Sequence, residues 1–556
     1  MTPQHTEPPR RRHWIVQAAL CALSGYGCLA LWPLGQEGDD LACAGACVLF
    51  LVASKSAFRA LSAWDHGWEM RRLRRMSSAD SGVHGTAEWA SRDDVRKAGM
   101  FKPGGIFLGQ AFGKNITYQG PGHLMCVAPT GAGKGVNLIV TNCLTYRGSM
   151  IITDVKGENA AMTMRHRSTF SDVVVLNPWR AKMTEELGID LGDTSYNPLG
   201  SLKKGINLKD DAALLASLLV PGKAEMSESE AFFARNGRAL LTAAMVYLRE
   251  QKGDDESITL PEIRKALMGD IDALEAFLAH MAASESGNGA AAEVAQRIIA
   301  MKVNSDRQFE AVFSTAVDAL EIYDGGPLGQ HVSGNEFSFA QCKTGERPVT
   351  VYIVCPSERL STHAAWLNLV VSAALEEVGR CRDASKRVFF EIEEAANLGY
   401  MPGLLKAMAL YRGQGGVQVR TIWQSVPGQA RRIYKDGWRE MVALSECCIF
   451  FSVWDPETLE LVSKWVGNRT SQDLTFSSHA EARFGGGQDV SISAVDRARP
   501  LLFASEMRTM PQGHVLILRS NMPVLMCKLV SYLERRSLRA KADPNPYHQR
   551  RLDDAA

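Results

Sequence analysis

The sequence predicts an α/β fold, in which helices cover both faces of a mainly parallel β-sheet. From residue 123 onward, short continuous apolar runs alternate with helical patterns, as expected for strands buried on both sides. A glycine-rich turn separates the first run from a helix pattern, and a long, purely helical segment interrupts the alternation. We therefore predict strands at residues 123–127, 150–154, 173–176, 349–355, 388–393, 417–424, 447–453 and 514–519.

Composition excludes several classes of protein. The 556 residues contain 62 Lys and Arg against 61 Asp and Glu, which excludes a nucleic-acid binder driven by a strongly basic chain but not a locally basic channel. The hydrophobic share of 46% is that of a folded chain, not of a disordered chain or a polytopic carrier. The 12 cysteines show no CxxC spacing, so a disulfide framework is not expected.

The N-terminal 76 residues predict a membrane anchor. Residues 14–32 carry no charge and follow three arginines, while a second apolar segment spans about residues 41–61. A cleaved signal peptide is the alternative, but the first segment is long for one and a second follows at once. Basic residues flank both outer ends, so the positive-inside rule predicts a two-helix hairpin with both termini in the cytoplasm.

The remaining chain predicts a domain with an insertion. The nucleotide-binding domain is expected at residues 77–200 and 346–535, the all-α insertion at 201–345, and a C-terminal tail at 536–556. Residues 201–340 contain 13 Lys and Arg against 21 Asp and Glu, a net charge of −8. Such a surface repels phosphates, so we expect the insertion not to bind nucleic acid. It should instead bind a protein, or only pack against its own domain, whereas the remainder of the chain is mildly basic.

A phosphate-binding loop is predicted where the strand at 123–127 ends. Residues 128–135 read Ala-Pro-Thr-Gly-Ala-Gly-Lys-Gly and precede a helix pattern, which is the placement of a Walker A sequence. Small residues let backbone N–H groups surround a phosphate, and the lysine reaches the outer phosphates. Gly135 stands where a Ser or Thr usually binds Mg²⁺. The predicted ATP-binding residues are Thr130, Gly131, Ala132, Gly133, Lys134 and Gly135.

A second motif predicts the catalytic carboxylates. The apolar run at 388–393 ends in acidic residues, as a Walker B strand does. We expect Glu393 to hold Mg²⁺, directly or through water, and Glu394 to polarise the attacking water. Glu391 falls on the same face of the strand as Glu393 and remains an alternative metal ligand.

Two further residues are candidates for contacts to the γ-phosphate. Gln424 ends the strand predicted at 417–424, and a glutamine there can sense the phosphate. Arg412 lies in a glycine-rich stretch that predicts a loop before that strand. It is a candidate arginine finger that would enter the site of a neighbouring subunit.

Taken in order, these motifs resemble the TraG-like coupling proteins of type IV secretion and bacterial conjugation. The resemblance spans roughly residues 84–535, and the predicted N-terminal hairpin, which precedes this range, matches as well. Its further motifs are Asp-Val-Lys-Gly-Glu at 154–158, Tyr-Asn-Pro-Leu at 196–199, Trp-Gln-Ser at 423–425, Asp-Pro-Glu-Thr at 455–458, Val-Gly at 466–467 and Arg-Thr at 469–470.

This resemblance implies a homo-hexameric ATPase of the bacterial inner membrane, with a RecA-like P-loop domain and a small all-α domain. It implies ATP and Mg²⁺ as ligands. It also implies recruitment of single-stranded DNA with its bound relaxase, or of relaxosome or effector proteins, to the channel of a type IV secretion system. A glycine commonly follows the Walker lysine in that family, whereas Glu393 replaces the more usual aspartate.

Two other functions remain open from the sequence. One is a membrane docking receptor for secreted proteins with weak or lost ATPase activity, which Gly135 and Glu393 keep under consideration. The other is a double-stranded DNA pump of the chromosome-segregation type, which the small membrane hairpin and the all-α insertion disfavour. Hydrolysis of ATP stimulated by DNA would distinguish the motor from the receptor.

Overall fold

The computed structural model describes residues 82–479 and 489–548. The predicted membrane segments at 14–32 and 41–61 lie outside these residues. No helix within the described ranges has both the length and the apolar character needed to cross a bilayer. The described residues fall into two compact units, one formed by 82–86, 468–479 and 489–499, and the other by 87–467 and 500–548.

The larger unit is built on one sheet that has eleven strands among the described residues. The strands are β1 (Ile106–Ala111), β2 (Lys114–Tyr118), β3 (His123–Val127), β4 (Ser149–Asp154), β5 (Asp172–Leu176), β6 (Val349–Val354), β7 (Val388–Ile392), β8 (Val417–Trp423), β9 (Ser445–Phe450), β12 (His514–Arg519) and β13 (Leu525–Lys528), with β10 and β11 in the smaller unit. Their spatial order is β2-β1-β13-β12-β9-β3-β8-β7-β4-β6-β5.

The parallel sheet predicted from the apolar runs is confirmed. All eight predicted strands are present, and the seven from β9 to β5 in spatial order pair in parallel. The other four strands form an antiparallel edge that was not predicted, and β12 belongs to it. The glycine in β1, the exposed first residues of β2 and the shortness of β13 weaken the hydrophobic signal there.

Helices cover both faces of the sheet. Along β3, Met125 and Val127 belong to one hydrophobic cluster, whereas Leu124 and Cys126 belong to another. Alternate residues of a strand point to opposite faces, so the two clusters are the cores on the two sides of the sheet. The strand is fully buried, which explains its continuous apolar sequence.

The helices are named in chain order. They are α1 (Arg92–Lys97), α2 (Val140–Thr145), α3 (Glu158–Ser168), α4 (Arg180–Leu187), α5 (Leu208–Leu219), α6 (Glu228–Gln251), α7 (Leu260–Leu267), α8 (Ile271–Ala282), α9 (Ala290–Asn304), α10 (Asp306–Asp318), α11 (Pro327–His331), α12 (Gln341–Thr344), α13 (Leu360–Arg380), α14 (Pro402–Gln414), α15 (Arg432–Tyr434), α16 (Gly437–Leu444), α17 (Pro456–Val466), α18 (Ala504–Arg508) and α19 (Arg536–Arg539).

Between β5 and β6 the structure contains helices only, from α4 to α12. Capping boxes at Ser227 and Thr259 begin α6 and α7, because each side chain accepts a backbone N–H of the first turn. Leu215 of α5, Ile298 of α9 and Phe390 of β7 all belong to one hydrophobic cluster. These helices therefore share a core with the sheet, and their limits as a separate domain stay a prediction.

The smaller unit contains a two-stranded sheet of β10 (Asn468–His479) and β11 (Asp489–Pro500). Its first strand also pairs with the stretch before residue 87, because Thr470 N donates to Gly85 O at 3.1 Å. Gly85 has a φ of +143°, and a Cβ there would lie 2.2 Å from Asn468 O, so only glycine fits at this position.

Candidate nucleotide-binding site

The phosphate loop leaves β3 at the carboxyl edge of the sheet and leads into a helix. Residues 135–139 form a π-helical turn that continues as α2. Gly131 and Gly133 have φ values of +79° and +83°, which are left-handed conformations that glycine adopts at little cost. A Cβ at Gly131 or Gly135 would meet no atom within 4 Å, so open space faces the loop. Backbone N–H groups at a helix start lack helical partners, so the loop and helix form a cradle for anions.

Lys134 is only 7% exposed, and it connects this loop to the predicted Walker B strand. Its Nζ donates to Glu394 Oε1 at 2.8 Å. The other predicted loop residues surround it, with Thr130 and Gly131 exposed and Ala132, Gly133 and Gly135 half-buried. The ammonium group therefore lies beside the open cradle and faces the predicted catalytic carboxylate.

Glu394 lies between two of the predicted residues. Its second oxygen, Oε2, accepts a hydrogen bond from Gln424 Nε2 at 2.8 Å. The strand order explains this meeting, because β8 lies between β3 and β7, and the three residues follow the carboxyl ends of these strands. Glu394 has φ 51° and ψ 50°, a left-handed conformation that costs a non-glycine residue energy and is often found at functional sites.

Glu393 lies on the other side of the strand end, near Asp154, the carboxylate that ends β4. Asn159 Nδ2 donates to Glu393 Oε2 at 3.0 Å and contacts Asp154 Oδ1 at 3.3 Å. Desolvation, followed by the nearby carboxylates of Asp154, Glu158 and Glu394, raises the pKa of Glu393 to about 8. Desolvation, opposed by the N–H of Ala160, raises the pKa of Asp154 to about 7.

These carboxylates fit a site for a divalent cation in which the half-buried Glu393 is the ligand and Asp154 is buried behind it. Two acidic groups of raised pKa share one amide donor, at the edge of the sheet where the phosphate cradle opens. Oxygen ligands are those that Mg²⁺ prefers, and a cation there would favour the ionised form of both groups. Asp154 was recognisable in the sequence as a carboxylate ending an apolar strand, whereas Asn159 gave no signal.

Glu391, the alternative metal ligand, instead forms an ion pair with Arg420. Arg420 Nε of β8 donates to Glu391 Oε1 at 2.8 Å, and the Nη2 of the same arginine contacts Oε2. Both side chains are fully buried. An ion pair enclosed in the sheet has no exposed oxygen for a metal, so the structure favours Glu393 over Glu391 for that role.

Arg412 lies away from this site, and the prediction that it belongs to a loop is wrong. The residue belongs to the last turn of α14, where its Nη2 donates to Glu446 Oε2 at 3.2 Å. The helix continues through the glycine-rich stretch and ends before Gly415 and Gly416. Glu446 stands near the beginning of β9, at the amino edge of the sheet, whereas the phosphate loop follows the carboxyl end of the adjacent β3. Five residues of strand, about 13 Å, separate these edges.

Comparison with known proteins identifies the family. The model of a family described as "Type IV secretory system Conjugative DNA transfer" matches residues 88–554. The chain belongs to this family.

Known relatives have low sequence identity to this chain but align with most of its length. The conjugal transfer protein TraG of Escherichia coli is 26% identical over 475 residues, covering 78% of this chain and 72% of the relative. Protein VirD4 of Rhizobium rhizogenes is 25% identical over 477 residues, covering 82% of this chain and 66% of the relative.

Solved structures of coupling proteins share the fold. The unbound bacterial conjugative coupling protein TrwBdeltaN70 has a TM-score of 0.59 at 17% identity, covering 80% of this chain and 93% of that chain. The plasmid coupling protein TrwB in complex with ADP and Mg²⁺ has a TM-score of 0.59 at 16% identity, and the match covers 80% of this chain and 94% of that chain. At these identities the likeness shows the α/β P-loop fold.

Proposed function

We propose that this chain is an ATPase coupling protein that brings single-stranded DNA, with its bound relaxase, to a type IV secretion channel and drives its transfer. The observation that carries the proposal is the meeting of Lys134, Glu394 and Gln424 at the carboxyl edge of the sheet. Membership of the conjugative DNA transfer family supports the choice of cargo. The TrwB complex with ADP and Mg²⁺ supports ATP and Mg²⁺ as the ligands.

Each residue has a proposed role in hydrolysis. Lys134 and the loop amides bind the outer phosphates. Glu393 would hold the metal, which would neutralise phosphate charge, and the buried Asp154 would support Glu393 through Asn159. Glu394 accepts a proton from the attacking water. Gln424 holds the Glu394 carboxylate in place through its present hydrogen bond. Lys134 exchanges the Glu394 oxygen for phosphate oxygens, which frees that carboxylate for water.

The test is ATP hydrolysis by the purified full-length chain with and without single-stranded DNA. We expect hydrolysis that single-stranded DNA stimulates. Hydrolysis that only double-stranded DNA stimulates would favour the segregation-type pump. Nucleotide binding with no hydrolysis under either condition would favour the docking receptor. The ion pair between Lys134 and Glu394 supports the ATP-driven function, because the two groups needed for catalysis are already adjacent.

Arg412 remains our candidate finger across a subunit boundary of a homo-hexamer. Since it lies at the amino edge of its own sheet, it cannot reach its own phosphate loop, and its side chain is 42% exposed. Arg412→Ala should lower hydrolysis more than about tenfold in assembled rings. Mixing this variant with Lys134→Ala protein should restore part of the activity, because some mixed sites combine an intact loop with an intact arginine.

The control for this mixing experiment is Arg439→Ala, which removes an exposed arginine that pairs with Asp436 in its own chain. It should leave hydrolysis unchanged. Mixed rings of the Arg412 and Lys134 variants that assemble but recover no activity would contradict the assignment.

We also propose that residues 14–32 and 41–61 anchor the chain in the bacterial inner membrane as a helical hairpin. The uncharged first segment and the arginines at both outer ends support this topology. The nucleotide site would then face the cytoplasm, where ATP is present. A fluorescent protein fused to the C-terminus should mature and co-sediment with inner membranes. A non-fluorescent but intact fusion would contradict a cytoplasmic C-terminus.

The helical insertion is our proposed binding surface for relaxosome or effector proteins. Met268 and Ile271 are 41% and 57% exposed, and the acidic Asp270 and Asp272 are adjacent in sequence. Apolar surface rimmed by charge is typical of protein interfaces. In the full chain, Ile271→Lys should weaken capture of the cognate relaxase and leave hydrolysis unchanged. Glu440→Lys, an exposed change outside the insertion, is the control. Unaltered capture by the Ile271 variant would contradict the proposed surface.

A further inference from the structure

The C-terminal segment at residues 531–548, named here the C-terminal strap, packs across the two helices that begin at the nucleotide site. Tyr532 and Leu538 are buried and form a separate hydrophobic cluster with Val140 and Leu144 of α2 and Met162 of α3. The helix α2 continues the phosphate loop, and α3 follows the acidic strand end of β4. The strap therefore joins the loop side of the site to its metal side.

Beyond α19 the strap follows α3 toward its N-terminus. Asp543 N donates to Met162 O at 2.9 Å, and Arg165 Nε donates to Asp543 Oδ1 at 2.7 Å. Further along, Asn545 Nδ2 donates to Glu158 Oε2 at 3.0 Å. The contacts move toward the start of α3 as the strap advances, so the two segments run antiparallel and the strap ends at the loop that precedes α3.

The last contact is made with the backbone of that loop. Tyr547 Oη donates to Lys156 O at 3.0 Å, and an Asn545 side-chain turn holds Tyr547 in place because Tyr547 N donates to Asn545 Oδ1 at 3.0 Å. Burial, with the carboxylates around the hydroxyl, raises the pKa of Tyr547 to about 12. The hydroxyl therefore keeps its proton and remains a donor at neutral pH.

The loop that receives these contacts positions the metal side of the site. It turns at Gly157, which has a φ of +68°, and leads directly to Asn159. Asn159 is the amide that holds both Glu393 and Asp154. A shift of the loop would displace that amide, and small displacements of positioning groups reduce catalysis strongly.

We infer that the C-terminal strap positions the loop at residues 155–159 for ATP hydrolysis, with Tyr547 and Asn545 as its positioning residues. The inference rests on the proposed ATPase function. Neither residue touches the open cradle, so they act through Asn159 and Glu393 and not on the phosphates. Loss of either contact should lower kcat, while the KM for ATP should stay unchanged because Lys134 and the loop amides are not altered.

The test compares Tyr547→Phe and Asn545→Ala with Tyr532→Phe in the full-length chain. Tyr532 is the matched control, because its hydroxyl contacts Met162 Sδ at 3.5 Å and does not reach the loop. Hydrogen–deuterium exchange of residues 155–163 is measured without nucleotide, and kcat and KM are measured with MgATP. We expect faster exchange and a kcat about fivefold lower in the first two variants, the effect of one hydrogen bond on a rate. The control should match the wild type.

Unchanged exchange in both Tyr547→Phe and Asn545→Ala would overturn the inference. So would faster exchange with an unchanged kcat, or an equal effect in the Tyr532 control. The exchange measurement needs no hydrolysis, so it separates this inference from the proposed function. If the wild type does not hydrolyse ATP, the proposed function fails, while faster exchange in the two variants would still support the strap as the restraint on this loop.

Discussion

Replacing Lys134 with alanine is expected to abolish ATP hydrolysis and DNA transfer while the protein remains folded. The ammonium lies at the start of the helix after the phosphate loop and beside the open cradle, so its loss removes the cation that faces the outer phosphates. The change also leaves Glu394 without its ion pair. The measurement is ATP turnover by the purified full-length variant, together with its thermal unfolding curve.

The control for this variant is Lys223→Ala, which removes an exposed lysine paired with Glu230 in the insertion. Surface ion pairs of this kind contribute little to stability, so the control should behave as the wild type. Wild-type turnover in the Lys134 variant would show that the nucleotide site has been placed wrongly.

Replacing Glu394 with glutamine is expected to leave ATP bound and to slow hydrolysis by about a thousandfold. The amide keeps the shape of the side chain and its contact with Gln424 but cannot accept the proton of the attacking water. Binding should persist because Lys134 no longer has a carboxylate partner and remains available to the phosphates. A fluorescent ATP analogue would measure binding, and single-turnover kinetics would measure the chemical step.

Glu391→Gln is the matched comparison, because the same change is made three residues earlier. It leaves Arg420 buried without its partner, and breaking a buried pair costs about 3–5 kcal/mol of folding stability. We therefore expect a lower unfolding temperature instead of a specific catalytic defect. A stable Glu391 variant without activity, combined with an active Glu394 variant, would show that the catalytic register is displaced by three residues.

The parts of the site that the sequence predicts are those in which one continuous segment specifies both the element and the side chain. The phosphate loop is such a case, because β3, the glycines, Lys134 and the start of the following helix are consecutive in the sequence. Glu394 is another, since it lies two residues beyond the end of the buried strand β7. The parallel order of β3, β8 and β7 then brings Gln424 to Glu394.

The parts that the sequence does not predict depend on packing between distant segments. In the sequence, Asn159 is one of several polar residues of α3. Only the folded chain brings it between Asp154 and Glu393, which is 234 residues away. The C-terminal strap is mostly polar and contains Pro544 and Pro546, so its sequence resembles an unstructured tail, although Tyr532 and Leu538 anchor it. The loop predicted around Arg412 is wrong, because nearby glycines favour a loop, whereas tertiary packing of α14 extends the helix to Gln414.

The position of the helical insertion has a consequence for exchanging it with the insertion of another coupling protein. The insertion joins β5 and β6, the last two strands at one edge of the sheet, and three strands separate them from β3. The strand that leads to Lys134 is therefore remote from the points at which the insertion joins the sheet. A chimaera would still have to preserve the core that the insertion shares with the sheet, including the packing of α5 near α13, where Asp211 pairs with Arg380 at 2.9 Å. If the insertion binds cargo as proposed, such an exchange would change recognition while the phosphate loop is retained.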